Sequence, residues 1–496
     1  MATSEQVADD PAAGSTTGAV DGLATALATV VGVALALAFY VYRKVTLVFF
    51  DAAVSALKLA RLDALVTRFP TTFATLGLAG ALAAAPFGDR LFSFARPDLT
   101  AALGLAAFWL ASGVYLLASG PLTMPPMQLD GLRASVAARF PERWFARVLT
   151  HPLDAIFVRV TINNTLLIVP VVVAIVVRRT PSPLTFVLYL LALRVVGLIH
   201  EAMDHANMHN HVFRPKRGAP PLAAALCKAI DLYQEYVLCT AVGRIPGWYP
   251  VQHLAVHHGE DGSLDDNQTT VVRDRTSFLQ YCALCTSWLF SKAFGLDIAR
   301  YLFVRGRTKL LRRLLVHVAG YYLFIAALTW LFGPAVLFLL FARAFVTPDT
   351  VITHYSWHGF VDPRHFGNVY LNTVHVVGAM DHGFLGLNAH LHHHLHPACH
   401  WSELSPAARL EEDRYRAEGV VVVRANGRDR MLMLRLLFER RFQDLAGEMT
   451  AIGDAPREDF ARLLEERTRP LWPRRWPAAL ERFDRALGTA VSRWLF

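Results

Sequence analysis

HEAMDHANMHNH at 200–211, HLAVHH at 253–258, HYSWH at 354–358 and HLHHHLH at 390–396 hold most of the 20 histidines in this chain of 496 residues. Each cluster lies at or just beyond the end of an apolar run. Imidazoles grouped at ligand spacing in such positions describe a metal site built where a membrane meets water.

The bulk composition agrees with that placement. At 54% hydrophobic and only 18% charged residues, the chain is too apolar for an ordinary soluble protein of this length. The net charge of +9 gathers between and after the apolar runs, as expected of loops held on the cytoplasmic side. No basic stripe with interleaved aromatics stands apart from the membrane flanks, so no nucleic-acid partner is expected. Five cysteines are too few and too irregular for a disulfide framework, and the Cys282/Cys285 pair, set in QYCALCTSWLF, reads as packing. Before Arg43 there is no Lys or Arg, while Glu5, Asp9, Asp10 and Asp21 are acidic. A cleaved signal peptide is therefore not expected, and residues 1–22 read as a disordered tail.

Seven runs have near-spanning length: 23–42, 69–87, 98–119, 160–177, 184–200, 314–332 and 334–353. About 20 apolar residues cross the hydrocarbon core. Arg43 and Lys44 directly follow the first run, so the tail faces outward and the next segment is cytoplasmic. Counting on, residues 120–159, with Arg133, Arg139, Arg143, Arg147 and Arg159, are cytoplasmic as well. Arg178 and Arg179 then fall outside, against the charge rule, because the alternative places the larger basic segments there. The last four runs form two helical hairpins, turning at Arg178–Pro183 and at Gly333-Pro334, where the Gly-Pro pair breaks the helix. Both start and finish on the cytoplasmic side, so the clusters at His200 and His354 meet at one face.

The expected fold is an all-α polytopic membrane protein: two core transmembrane hairpins, a cytosolic helical cap holding a His-rich dimetal site, and extra N-terminal spans. Its divisions are a tail (1–22), an N-terminal transmembrane extension (23–150), a central membrane domain (151–401) and a basic cytosolic C-terminal region (402–496). Segments 220–243 and 276–310 read as interfacial helices under the cap. In the C-terminal region, Asn426-Gly427 within VVVVRANGRDRMLML suggests a small β-hairpin.

Helical geometry gives the histidine spacings their meaning. Residues four apart differ by about 40° around a helix and residues three apart by about 60° the other way, so HxxHH sets three imidazoles on one face. Adjacent histidines differ by about 100° and reach toward different ions. His390, His393 and His394 fit this pattern. His253, His257 and His258 carry one extra residue between their parts, His200 and His205 lie in the first cluster with His209 four residues on, and His354 and His358 share a face. Nine or ten imidazoles exceed what one zinc site uses, since zinc takes four ligands. Two metals is the arithmetic reading, and imidazole suits iron, copper, nickel and zinc alike.

HEAMDH, HLAVHH, HYSWH and NAHLHHHLHP, in that order and with an apolar hairpin between the second and third, resemble the histidine boxes of the membrane fatty acid desaturase and hydroxylase superfamily. The resemblance runs from about 184 to 400, and the segment 354–397 is most similar to the acyl-CoA desaturases. It implies a centre of two non-haem Fe ions held by His200, His205, His253, His257, His258, His358, His390, His393 and His394, with His354 a tenth ligand or the holder of a bound water. It also implies an O2-dependent oxidoreductase of lipid or fatty-acyl chains, a desaturase in the first place. A hydroxylase or an oxidative decarboxylase is the alternative on the same scaffold. No haem, Rossmann or ferredoxin signature accompanies the boxes, so electrons are expected from an external carrier, ferredoxin-like and acidic, docking on the basic face. A His-rich metal transporter is the remote alternative; its ligands belong near the middle of spans rather than at their ends.

Single histidines at 151, 317, 365 and 375 read as ordinary hydrogen-bonding residues, and His382 as undecided. Glu201, Asp204, Asp265, Asp266, Asp349 and Asp362 lie near the boxes, where carboxylates orient metal-bound imidazoles. Tyr321, Tyr322, Phe324, Trp330, Phe332, Phe338 and Phe341 read as lipid-facing rather than as a substrate channel, and Arg194 and Arg343 as snorkelling side chains.

Overall fold

The computed structural model describes residues 129–495 except 180, 366, 379–384, 426–429, 452–455 and 473–476, together with scattered residues between 30 and 107. The expected tail 1–22 and span 69–87 lie outside the described residues, as do most of 23–42 and 98–119.

Helix α1 (Ala155–Arg178) and helix α2 (Pro183–Asn210) form the first hairpin. The Ser182 hydroxyl accepts the Thr185 N–H and Pro183 occupies the first helical position, the pair of signals that opens a helix. α2 does not stop near His200. It continues past a 42° bend close to Gly197 and ends where His211 adopts a left-handed conformation. Helix α3 (Phe278–Phe294) opens on the Ser277 hydroxyl and closes on Gly295 at φ 62. Helix α4 (Thr308–Phe332) and helix α5 (Phe338–His358) form the second hairpin. Among the described residues, three helices are long and apolar enough to cross a membrane (Pro152–Arg178, Thr308–Phe332 and Pro334–His358), and α2 makes a fourth if its bent halves are one span.

The two hairpin turns touch. Gly333 adopts φ 94, and a Cβ there would overlap the Arg179 carbonyl oxygen. The histidine-bearing ends of α2 and α5 therefore meet at the opposite end of the bundle. Gly333→Ala is expected to lower stability by about 1–3 kcal/mol, because both the backbone region and the contact exclude a side chain. Thermal unfolding in detergent measures it; an unchanged midpoint would show that the turns are free to separate.

Within the first hairpin, Leu167, Ile168 and Val171 of α1 are buried in one apolar core with Leu188, Ala192 and Val196 of α2. Arg194 and Arg343 do not snorkel. Arg194 pairs with Asp349 at 2.5 Å, joining α2 to α5. Arg343, 5% exposed, donates to the carbonyls of Gly243 (2.5 Å) and Ala293 (3.2 Å). A guanidinium on a helix face that other elements cover cannot reach water, so it must find acceptors inside the protein.

The fold is mostly helical, but the all-α expectation needs a correction. Strands β1 (Val374–Gly378), β2 (Val421–Ala425) and β3 (Met449–Ala451) form one sheet, β1 parallel and β3 antiparallel to β2. VHVVG and VVVRA are β-branched runs too short for stable helices, and each finds its partner far along the chain. The expected Asn426-Gly427 hairpin is also corrected. Residues 426–429 lie outside the described ones, and its second arm is helical.

Helix α6 (His390–Leu395) carries the last histidine cluster. Helix α7 (Arg430–Phe438) buries Leu434, Leu437 and Phe438 against Phe278 and Tyr281 of α3. Spacing of three and four between those apolar residues suits a helix, and Leu and Met favour one. Helix α8 (Arg457–Thr468) and helix α9 (Ala478–Leu495) complete the C-terminal part. Arg275, fully buried, donates to the carbonyls of Thr270, Gly359, Val361 and Arg467. It thereby ties α8 to the loop that follows His358.

All five cysteines are free, and Cys282 and Cys285 are buried in the core shared by α3 and the C-terminal helices. Phe324, Trp330 and Phe341 are at least half exposed, as lipid-facing residues would be.

Candidate metal centre

α2 brings His205 and His209 to its last turns, four residues apart and on one face. The extra residue of the second box is absorbed by a π-helical turn over His253–His257. A π turn is wider by one residue, so His258 returns to the face of His253. Their Nε2 atoms are 3.1 Å apart. α5 ends on His358, and α6 presents His390, His393 and His394.

His205, His209, His253 and His393 form one group whose ligand atoms lie within 4.8 Å of one another, and His257, His358, His390 and His394 form a second. His258 joins the first, with its Nε2 also 3.1 Å from that of His393. In the second, His390 Nε2 is 2.8 Å from His358 Nε2 and 3.3 Å from His394 Nε2. Consecutive residues part company: His257 and His258 go to different groups, as do His393 and His394. The groups adjoin, with the His258 and His394 rings stacked at 4.5 Å.

The donor set fits metal ions. Ligand nitrogens about 2.1 Å from a common ion and at right angles stand about 3 Å apart, which is the spacing seen between these Nε2 atoms. Three of the outer nitrogens lie beside acceptors. His257 Nδ1 lies 2.8 Å from Asp266 Oδ2, His394 Nδ1 2.7 Å from Asp261 Oδ1, and His358 Nδ1 2.8 Å from the Asn372 carbonyl. A proton fixed on Nδ1 leaves the Nε2 lone pair pointing inward. Burial, and after it the neighbouring imidazoles, holds His253, His258, His390 and His393 well below the usual imidazole range, so they are neutral. Burial pulls His257 the same way, but the Asp266 carboxylate more than offsets it.

Two of the ten expected residues stand elsewhere. His200 is fully buried, its Nε2 3.5 Å from Cys239 Sγ and its Nδ1 without a partner. Residues five apart on an α-helix differ by about 140°, so His200 cannot share a face with His205. His209 takes its place. His354 stacks on His358 at 4.5 Å, yet its Nε2 engages the Gln268 carbonyl at 2.8 Å, and it belongs to neither group.

Four further histidines have other partners. His151 stacks on His400 at 4.0 Å, His400 lies 3.1 Å from Asp154, His392 lies 2.8 Å from the Tyr415 hydroxyl, and His396 lies 3.3 Å from Glu411. His382 lies outside the described residues. Of the six acidic residues singled out, only Asp266 touches a grouped imidazole. Asp204 pairs with Arg244, Asp265 with Arg305 and Asp362 with Arg364. Asp261 was not legible as a partner of His394, although the Asp-Gly pair just after the second box signals a turn; Asp261 sits there at φ 44.

A cavity of about 70 Å³ opens beside both groups, reaching His205, His253, His257 and His390. Trp288, Trp357 and Leu387 give it apolar walls, and none of the seven aromatic residues of the second hairpin lines it.

A helical scaffold with helices long and apolar enough to cross a membrane and two adjoining imidazole groups at one end has the features of a histidine-box membrane protein. The fatty acid desaturase family model matches residues 180–425, and the chain belongs to the membrane fatty acid desaturase and hydroxylase superfamily. No curated protein and no solved structure matches the chain. Membership makes it an oxidoreductase of the fatty acid desaturase kind, with lipid or fatty-acyl substrates.

Proposed function

We propose that this protein is an O2-dependent di-iron oxidoreductase that introduces a double bond into a lipid or fatty-acyl chain. The observation that carries the reading is the pair of buried imidazole groups sharing one apolar-walled cavity. His205, His209, His253, His258 and His393 would hold one iron, and His257, His358, His390 and His394 the other. When bound, the irons supply O2 activation and the removal of hydrogen from an unactivated C–H bond. The chain supplies everything around that chemistry. Asp266, Asp261 and the Asn372 carbonyl orient three of the imidazoles, and Trp288, Trp357 and Leu387 exclude water and press an alkyl segment toward both groups. Histidines at helix ends rather than at mid-span speak against ion transport.

Desaturation is preferred to hydroxylation because the 354–397 segment resembles the acyl-CoA desaturases. Electrons come from a small acidic carrier such as a ferredoxin. Arg133, Arg143 and Arg147 line an open cleft of about 550 Å³ beside His151 and His400, a basic surface suited to it. The same basic surface supports a site that faces the cytoplasm.

Mass spectrometry of lipids after expression with defined fatty acids tests the reaction. Loss of two hydrogens is the expected product; gain of one oxygen replaces desaturation by hydroxylation, and loss of the carboxyl carbon replaces it by decarboxylation. Two irons per purified chain are expected alongside. Substoichiometric zinc with no O2 consumption would remove the oxidoreductase reading altogether.

A further inference from the structure

The cavity beside the imidazole groups is not wholly apolar. Glu201, Lys292 and Thr350 share its wall. Lys292 Nζ donates to Glu201 Oε1 at 3.2 Å and to Thr350 Oγ1 at 3.0 Å, and the Thr350 hydroxyl donates to Glu201 Oε2 at 2.6 Å. These three side chains come from α2, α3 and α5, so the cluster sits where the elements that build the site converge.

Its presence needs a reason. Burying an ion pair gains little over well-packed apolar residues of the same volume, because desolvation takes back most of the attraction. Ionisable groups at membrane depth accordingly mark function more often than stability. A cavity meant for a plain alkyl chain would do better with leucine at these positions. Hydrogen-bonding capacity is left over as well: an ammonium has three donors and two are engaged, and each carboxylate oxygen accepts only one of the bonds named.

Position along the helices relates the cluster to the reacting carbon. Glu201 precedes the grouped His205 by four residues on α2, and the cavity that Glu201, Lys292 and Thr350 line also reaches His253, His257 and His390. Four residues rise about 6 Å, so the cluster lies one helical turn from the imidazoles, a few carbon–carbon bonds away.

We propose that Glu201, Lys292 and Thr350 form a recognition site for an uncharged hydroxyl or carbonyl group of the substrate, carried a few bonds from the carbon that is oxidised. Lys292 donates to the substrate oxygen, and Glu201 accepts from a hydroxyl when one is present. A carboxylate there would face Glu201 and an ammonium would face Lys292, so both charged ends are disfavoured. The proposal rests on the oxidoreductase reading above and narrows its substrates to chains functionalised near the site of oxidation.

The test compares decane, 1-decanol, decanoate and decylamine on the full-length, iron-loaded protein in nanodiscs, with two readouts. Equilibrium retention of each labelled probe is corrected for its uptake by empty nanodiscs, and oxidation is followed with O2 and a chemical reductant. Retention of 1-decanol about tenfold or more above decane is expected, as for a hydrogen bond to a charged group, with decanoate and decylamine below 1-decanol. Glu201→Gln combined with Lys292→Met removes both charges without stranding either, and Thr350→Val removes only the hydroxyl; both are expected to bring the alcohol-to-alkane ratio toward one. If the double variant fails to fold, Thr350→Val carries the same comparison. Equal retention of decane and 1-decanol by the unmodified protein, or an unchanged ratio in a folded variant, overturns the proposal. Preferential retention of 1-decanol without oxidation of any probe by the two-iron protein upholds the recognition site and sinks the oxidoreductase reading instead.

Discussion

His209→Ala is expected to yield protein with one iron instead of two and turnover lowered at least about a hundredfold, while His200→Ala keeps both irons. Loss of an orienting partner already costs ten- to a hundredfold in affinity or activity, and losing a ligand outright exceeds that. His209 stands with His205, His253 and His393 within 4.8 Å; His200 stands against Cys239. His200→Ala opens a small void in a packed region and is expected to lower stability by roughly 1–3 kcal/mol with the metal count intact. Iron analysis by mass spectrometry together with oxygen uptake distinguishes the two variants. Iron lost from His200→Ala and kept in His209→Ala would restore the HEAMDH register and overturn the one proposed here.

That contrast shows what spacing alone can and cannot convey. The two hairpins, their Gly-Pro and Arg178–Pro183 turns and the meeting of histidine clusters at one end were legible, because apolar length and helix breakers act locally. So was the divergence of adjacent histidines, which follows from a rotation of about 100° per residue. The end of α2 was not legible. Apolarity fades after His200, yet the helix continues through HEAMDHANMHN because its polar residues face partners from other segments: Asp204 meets Arg244 and Asn207 meets Asp231 and Gln234. Extending the helix moves the first pair of clustered imidazoles from 200/205 to 205/209.

The second box failed to look regular for a related reason. HLAVHH has one residue too many for an α-helical turn, and only the π turn shows how the surplus is absorbed. The sheet was hidden because β1 and β2 are parallel and far apart in sequence, whereas a hairpin signal such as Asn426-Gly427 speaks only of neighbours. Arg194 and Arg343 were misjudged because snorkelling assumes a path to water, and the elements that close that path come from other parts of the chain.

Asp266→Ala is expected to weaken iron binding at the second group by about a hundredfold, and Asp266→Asn by about tenfold, within the range for partners that orient a metal-bound imidazole. Asp266 is 2% exposed and performs two tasks. Its Oδ2 holds His257 Nδ1 at 2.8 Å, and it also accepts the backbone N–H groups of Gly262 at 3.0 Å and Gln268 at 2.9 Å. The first task fixes the His257 tautomer and makes its Nε2 more basic. The second shapes the loop that carries Asp261, the partner of His394, so alanine disturbs two imidazoles of one group. Asparagine keeps an acceptor for the loop but lacks the charge, and the difference between the variants separates electrostatics from loop geometry. Competition with a coloured iron chelator measures the affinity. Asp265→Asn, one residue away and paired only with exposed Arg305, should bind iron as the unmodified protein does. If it weakened binding as much as Asp266→Asn, the effect would belong to the loop's net charge and not to the His257 hydrogen bond.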